Sequence, residues 1–435
     1  MVSVGKAIFP IHFAIINLIL YFFHSFLSKS TELCAICAII PAMRKHTAKK
    51  LALSLALALA AHGAYTLSLS DLKQKLRPKQ KTQIPQKPRE QKTAPVVVSS
   101  AVSSIPIENQ LDEGAEGYTV SKTTDPSAPI VYFTRNISPE GLIAVYRALG
   151  FNASGRAGVR INSGEPPKSN YLRPELISRL VQNEIKGTLI DSNAADGGCR
   201  KSSYMHRQVL KDHRFSSAED FVILDEDGTE KIPVTAGTNL KYASVGSHFF
   251  DFDSYVLLTH FSGDGTMGFA GAIEALSLGL SSGILSADSG KALVYSGGRT
   301  NDSTFQDYEK DDKADYRRRA QESAAEAAKA IFDEMAKKGG AAFITVLNKL
   351  SVDSDNCGLP APSEMNDVGI CASLDPLALD QACMDIIYTC PRTEGNSASS
   401  LTERIESRNG RHILEHAEKI SLAGGKRHYR LVSLD

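Results

Sequence analysis

Beyond residue 128 the chain alternates between two apolar rhythms. Short runs of consecutive or alternating apolar residues at 130–133, 158–161, 187–190, 255–259, 343–347, 368–372 and 428–432 predict strands. Between them, apolar residues three and four apart predict helices over 139–149, 174–184, 203–212, 313–338, 376–388 and 415–420. Ser138 stands where the first of these helices needs an N-cap, and Gly339-Gly340 ends the long Ala- and Glu-rich one. Short strands at 221–224, 231–234 and 242–245 predict a hairpin region. The alternation predicts an α/β fold, a mostly parallel sheet with helices on both faces, in a single globular domain over 129–435.

Ligands of such sheets gather at the carboxyl ends of the strands. That rule points to the loops 162–167, 191–193, 260–268, 348–357 and 373–375 as the walls of one cleft. The most conspicuous lies in the stretch 257–280. There a short apolar strand runs into Gly263-Asp264-Gly265-Thr266-Met267-Gly268, and Phe269, Ile273, Leu276 and Leu280 then follow one helix face. Free amides at a helix N-terminus hold anions, so Gly263, Gly265 and Gly268 are expected to contact an anionic group, with Asn193 and Asp375 in neighbouring loops. The glycine spacing also fits a dinucleotide fingerprint. The acid expected about 20 residues on, at the end of a next strand, is missing, because Asp288 lies in a Ser- and Gly-rich run. The plain alternative is glycine used for turn geometry and close packing.

Other candidate groups line the same loops. His260 at a strand end suits a general base or a metal ligand, and equally a hydrogen-bonded structural residue. Glu165, Asp264, Asp355 and Cys357 offer an acid/base or a mixed oxygen and thiolate metal site; together Glu165, His260, Asp264 and Cys357 are the candidate catalytic set. Neither a Gly-x-Ser-x-Gly elbow nor a His-Glu-x-x-His motif occurs.

Composition sharpens the N-terminal half. An apolar run at 7–23 is followed by a basic segment from Met43 to Lys50, an apolar Leu/Ala run at 51–61 and small residues near Ala61 and Gly63. This is the pattern of a secretory signal peptide. The expectation is that 1–64 carries the export signal, with translation starting at Met43, and that the mature protein is periplasmic or otherwise exported. It touches a membrane only through that segment, and is anchored if the segment is retained. Residues 65–128, rich in Lys, Gln, Pro and Ser, read as a disordered basic linker. Between Lys73 and Lys92 eight basic residues face one acid, while the whole chain balances 49 against 49, so charge gives no case for nucleic acid. Of the seven cysteines only Cys34 and Cys37 have C-x-x-C spacing, which argues against a built-in iron-sulfur cluster. In an exported chain Cys357 is as well suited to a disulfide, with Cys371 or Cys390, as to chemistry.

Several stretches together resemble the family called domain of unknown function 362. They include Ser163-Gly164-Glu165-Pro166, Asn170-Tyr171-Leu172-Arg173-Pro174, Asp191-Ser192-Asn193 and Met205-His206-Arg207. The distinctive run is Asp375-Pro376-Leu377-Ala378-Leu379-Asp380-Gln381-Ala382. The resemblance implies an α/β domain of unassigned activity, joined in many relatives to ferredoxin-type modules and associated there with redox or metal work. That gives two expectations: a metal- or redox-associated enzyme acting on a small anionic substrate, with a redox partner protein, or a non-catalytic binding protein that kept the fold. This chain departs from the family pattern at four places. Asn162 stands for a histidine, Ser262 and Asp264 for lysine and histidine, Glu274 for a lysine, and Ser354 and Asn356 for cysteines. A soft His/Cys metal site loses most of its ligands by these changes, whereas an oxygen-ligand site keeps Glu165, Asp264 and Asp355.

Overall fold

A computed structural model describes residues 106–195, 197–215, 221–284, 290–296 and 313–435. The expectations for 1–64 and for most of 65–128 lie outside these residues. Among those described, no helix is long and apolar enough to cross a membrane.

An eight-stranded sheet organises the domain. Its strands are β1 (Ile130–Thr134), β2 (Ala157–Arg160), β3 (Thr188–Asp191), β4 (Phe221–Ile223), β7 (Ser254–His260), β10 (Ala341–Leu347), β11 (Gly369–Ser373) and β12 (Arg430–Ser433). Their spatial order is β12-β1-β11-β10-β7-β2-β3-β4. Every neighbouring pair is parallel except those made by β11, which runs antiparallel to both β1 and β10. The predicted mostly parallel α/β sheet is therefore present, as a single domain.

The period of two along the strands divides the core. On β7 and β10, Tyr255, Leu257 and Phe343 face one apolar layer and Val256, Leu258, Ile344 and Val346 the other. The second layer is closed by α2 (Pro139–Ala148) and α3 (Pro174–Arg179), through Leu142, Val145 and Ile177. The first is closed by α5 (Ala272–Ser277), α7 (Lys313–Ala336), α8 (Pro376–Tyr388) and α10 (His412–Lys419). Helices thus cover both faces. Ser138 does cap α2, its hydroxyl accepting from Gly141 N at 3.2 Å.

Three departures from the sequence reading follow from tertiary context. The linker reading does not hold past residue 105. Helix α1 (Ile107–Glu113) buries Ile107 and Leu111 in the core, and Tyr118 stacks on Tyr388 with ring centroids 4.3 Å apart. Five polar residues in this seven-residue helix hid its two apolar anchors. Next, β4 joins the main sheet beside β3, while β5 (Thr229–Pro233) and β6 (Tyr242–Gly246) alone form the hairpin. Finally, the glycine-rich segment after β7 is a second hairpin, β8 (Ser262–Asp264) with β9 (Gly268–Ala270), and Phe269 belongs to β9 instead of to a helix. Two further helices, α6 (Gly290–Tyr295) and α9 (Ser399–Ser407), complete the elements used below, together with α4 (Ser203–Asp212).

Candidate functional site

The antiparallel β11 decides which loops meet. Its register pairs Phe343 with Ser373 and Leu347 with Gly369, so the carboxyl end of β11 lies at the amino end of β10. The loop 373–375 is thereby on the opposite edge of the sheet from Asp191 and His260, and Asp375 leaves the expected cleft. It caps α8, accepting from Leu377 N at 2.9 Å and Ala378 N at 3.0 Å. Loops 162–167, 191–193 and 348–357 do converge.

Their centre is Arg200, only 3% exposed. Its guanidinium donates to Asn162 Oδ1 at 2.9 Å, to Asn356 Oδ1, and at 3.4 Å each to Glu165 and Asp191. Glu165 also accepts from Cys199 N, which holds the short turn Gly198–Arg200 in place. Its carboxylate is therefore an anchor for Arg200. Asp191, the last residue of β3, accepts from Ser163 N and Oγ. Burial works against its charge, but the hydrogen-bonded His206 and the charges of His206, Arg200 and Arg160 outweigh it and hold the carboxyl well below the usual range. Ser163, His206 and Asp191 are the residue types of a hydrolase triad. The serine, however, stands between the other two and is fully buried, so no substrate reaches its hydroxyl. Asn193 is likewise engaged, its N-H bonded to Asp225 and its side chain to Ser203.

His260 ends β7 in a position the sequence marks, with a role the sequence leaves open. Nδ1 lies 3.0 Å from Asp355 Oδ1 and Nε2 2.5 Å from the Asn348 carbonyl. Both partners are acceptors, so the protonated ring, with hydrogen on both nitrogens, is the form this pocket satisfies. Burial alone would lower its pKa, but the Asp355 charge, its hydrogen bond and the Asn348 carbonyl raise it above the ordinary histidine value. This His is a brace, with both ring nitrogens turned to protein acceptors. Its contribution to stability is complete below the unfolded-state value of about 6.5 and disappears as pH rises through the raised folded value. Urea unfolding at pH 5.5 and 8.5 is expected to show lower stability at the higher pH, and His260→Gln to lose part of that difference.

The turn of the glycine hairpin takes up its own amides. Asp264 Oδ1 accepts from Thr266 N and Met267 N at 2.8 Å each, closing its own turn. A Cβ on Gly263 would lie 2.4 Å from the Val352 carbonyl oxygen, and Gly268, at φ +88°, abuts the Gly410 Cα. Gly265 has open space around it. These glycines serve turn geometry and packing, the plain alternative above. The N-terminus of α5 is occupied as well, because Asp380 from α8 accepts from Ala272 N at 2.6 Å and Ile273 N at 2.9 Å. Among the described residues, no group of three or more His, Cys, Asp and Glu side chains converges as a metal site. The ligand set Glu165, Asp264, Asp355 and Cys357 is thus not assembled, since each carboxylate is committed to a local partner. Cys357, Cys371 and Cys390 are all free thiols.

A small cavity of about 30 Å³ lies at the carboxyl ends of β2 and β3, walled by Arg160, Arg200, Lys291, Asp191, Glu274, Asn162 and Asn356. It accommodates about one or two water-sized groups. Arg160, the last residue of β2, is 4% exposed and its Nε has no hydrogen-bond partner. A Cβ at residue 279 would come within 2.4 Å of its Cζ, so Gly279 is what makes room for the guanidinium. Lys291 on α6 donates to the carbonyls of Asn193 and Ser192; burial depresses its pKa, against the opposing charges of Asp191 and Asp225. The carboxylate of Glu274 on α5 receives no hydrogen bond from any described residue. Burial pushes its carboxyl up to about 7, Arg160 and Lys291 opposing and Asp264 and Asp355 adding to the shift. Arg160, Arg200 and Lys291 were not singled out from sequence, and Glu274 only as a difference from the family the chain resembles. The available signal was a charged residue closing an apolar strand, which Arg160 does.

The match to known families now bears on these walls. The family model described as Domain of unknown function (DUF362) matches residues 158–385, more than half of the chain. The chain belongs to the DUF362 family. Asn162, Glu274 and Asn356 lie together on the wall of this one cavity. No curated protein matches the chain. A protein of Thermotoga maritima, solved as a structural-genomics target, is similar at 12% identity with a TM-score of 0.32. The match covers 62% of this chain and 58% of that one, and a likeness of that degree carries no argument.

Proposed function

We propose that this DUF362 protein binds a small anion, a free oxyanion or the carboxylate or phosphate end of a small metabolite, in the cavity between Arg160, Arg200 and Lys291. The observation that carries the reading is the Arg160 guanidinium, buried with an unpaired Nε on the wall of a polar cavity. A buried charge left without its hydrogen bonds costs folding energy, and a site-bound anion supplies them. The export expected from the N-terminal pattern places such binding in the periplasm. Of the two expectations from the family, the non-catalytic binding protein fits best, because the candidate base His260 and the carboxylates Glu165, Asp264 and Asp355 are engaged in holding loops. Glu274 favours the enzyme as second reading, since a carboxyl poised near neutrality inside a ligand cavity suits proton transfer.

The test is the Arg160→Met variant, which keeps the volume and removes the charge. With sulfate, phosphate and acetate as probes, the native protein is expected to gain thermal stability on titration. Arg160→Met is expected to be at least as stable without ligand and to bind at least tenfold more weakly. Equal binding by the two proteins, or no response of the native one, overturns the proposal.

A further inference from the structure

We infer that the cavity between Arg160, Arg200 and Lys291 selects oxyanions that still carry a hydrogen, of the hydrogen phosphate type, over fully deprotonated ones such as sulfate, and that Glu274 is the selecting residue. That selectivity rests on the anion site proposed above and narrows its ligand class to a free, protonated oxyanion.

The wall divides into donors with capacity to spare and acceptors that are mostly spent. Arg160 brings an unpaired Nε. Asn162 Oδ1 already accepts from Arg200 and, at 3.0 Å, from Gly164 N. Asn356 Oδ1 accepts from Arg200 and, at 3.2 Å, from Asn162 Nδ2. Asp191 takes Ser192 N at 2.9 Å on one oxygen, and Ser163 and Arg200 on the other. Among the described residues, Glu274 is the wall carboxylate left without a donor.

Its place in the chain leaves it so. Glu274 is the third residue of α5, and it takes no part in capping that helix, because Asp380 from α8 accepts from Ala272 N and Ile273 N. The glutamate lines the cavity instead, and among the described residues no ion pair closes the gap between it and Arg160 or Lys291.

A carboxylate only accepts. Beside a fully deprotonated oxyanion it meets lone pairs and stays unpaired in a buried site, which weakens binding. Beside an oxyanion that carries a hydrogen it accepts that hydrogen, while the cations donate to the remaining oxygens. Burial holds the Glu274 carboxyl near 7; Arg160 from β2 and Lys291 from α6 favour its charged form, and Asp264 from β8 and Asp355 from the loop after β10 oppose it. Below that value the neutral carboxyl donates, so the discrimination belongs to the alkaline side.

Inorganic phosphate and sulfate make the comparison, since at pH 8.5 both are tetrahedral dianions that differ by one hydrogen. In calorimetric titration of the whole protein, phosphate is expected to bind about tenfold or more tighter than sulfate at pH 8.5, with the ratio shrinking toward pH 6. Glu274→Gln, whose amide both donates and accepts, is expected to bring the two within about twofold of each other, chiefly by a gain in sulfate binding. Arg160→Met is expected to weaken both. Equal affinity of the native protein for the two at pH 8.5, or a preference that survives in Glu274→Gln, overturns the inference while the anion site stands. A ratio that stays constant from pH 6 to 8.5 in the native protein overturns it without recourse to any variant. Binding of neither anion, or binding that Arg160→Met leaves unchanged, overturns the anion site and the selectivity with it.

Discussion

Changing Asp380 to alanine is expected to lower the free energy of unfolding by about 3 kcal/mol, because two buried amides, Ala272 N and Ile273 N, lose their acceptor. The first N-H groups of a helix have no partner within it, and α5 borrows one carboxylate from α8 to satisfy two of them. Asp380→Asn keeps one acceptor oxygen and turns an amide N-H toward the other donor, so it should lose about half as much. Asp375→Ala removes an ordinary N-cap and is expected to cost about 1 kcal/mol. Urea unfolding at pH 7 ranks the three, with an unchanged m-value as the sign that the denatured state is not involved. A wild-type midpoint for Asp380→Ala would show that the amides find another acceptor.

This ordering says what the distinctive Asp-Pro-Leu-Ala-Leu-Asp-Gln-Ala run does. Asp375 starts α8, Asp380 starts α5, and Gln381 donates to Asp385 at 2.7 Å. Asp385 also accepts from Ser121 N and from the hydroxyls of Tyr118 and Tyr429. This run thus ties a helix to its neighbours and belongs to the frame of the domain.

The strand and helix alternation was legible because each strand presents one residue in two to each apolar layer, and the helices that cover them carry their own spacing. Direction is not written in such a pattern. Residues 369–373 read the same whether β11 runs up or down, and its reversal alone moved Asp375 off the cleft edge. The hairpin of β8 and β9 was hidden for a related reason: Phe269, Ile273 and Leu276 are all buried, and burial from a three-residue strand followed by a short helix mimics one helix face. Chemistry was misread where the residue type suggested reactivity and the partners deny it. His260, Asp264 and Glu165 look available in sequence, yet each faces hydrogen-bonding groups from its own turn or a neighbouring loop. Conversely Arg160 and Lys291 look like ordinary surface cations, and only the fold buries them.

Sulfate binding in the inner cavity is expected to strengthen as pH falls through about 7, following Glu274. Sulfate does not titrate in this range, so the slope belongs to the protein. Above 7 the Glu274 carboxylate competes for Arg160 and repels the anion; below 7 it is neutral and the cations are left to the ligand. Taking up one proton with each anion gives an affinity loss of up to about tenfold per pH unit above 7. The charges facing Glu274 are Arg160 from β2, Lys291 from α6, Asp264 from β8 and Asp355 from the loop after β10. Lys291, whose pKa is depressed, is the one other group that would weaken binding on the alkaline side, by losing its charge. Glu274→Gln separates them: it is expected to bind sulfate at pH 8.5 as tightly as the native protein does near pH 6, with a flat profile between. The same variant should be more stable than the native protein at pH 8, because a folded value raised from the ordinary 4.5 to about 7 penalises the fold increasingly as pH rises between the two. If the binding slope survives in Glu274→Gln and vanishes in Lys291→Met, the ammonium is the titrating group, and the case for Glu274 as a proton-exchanging residue, with the catalytic reading that depends on it, falls.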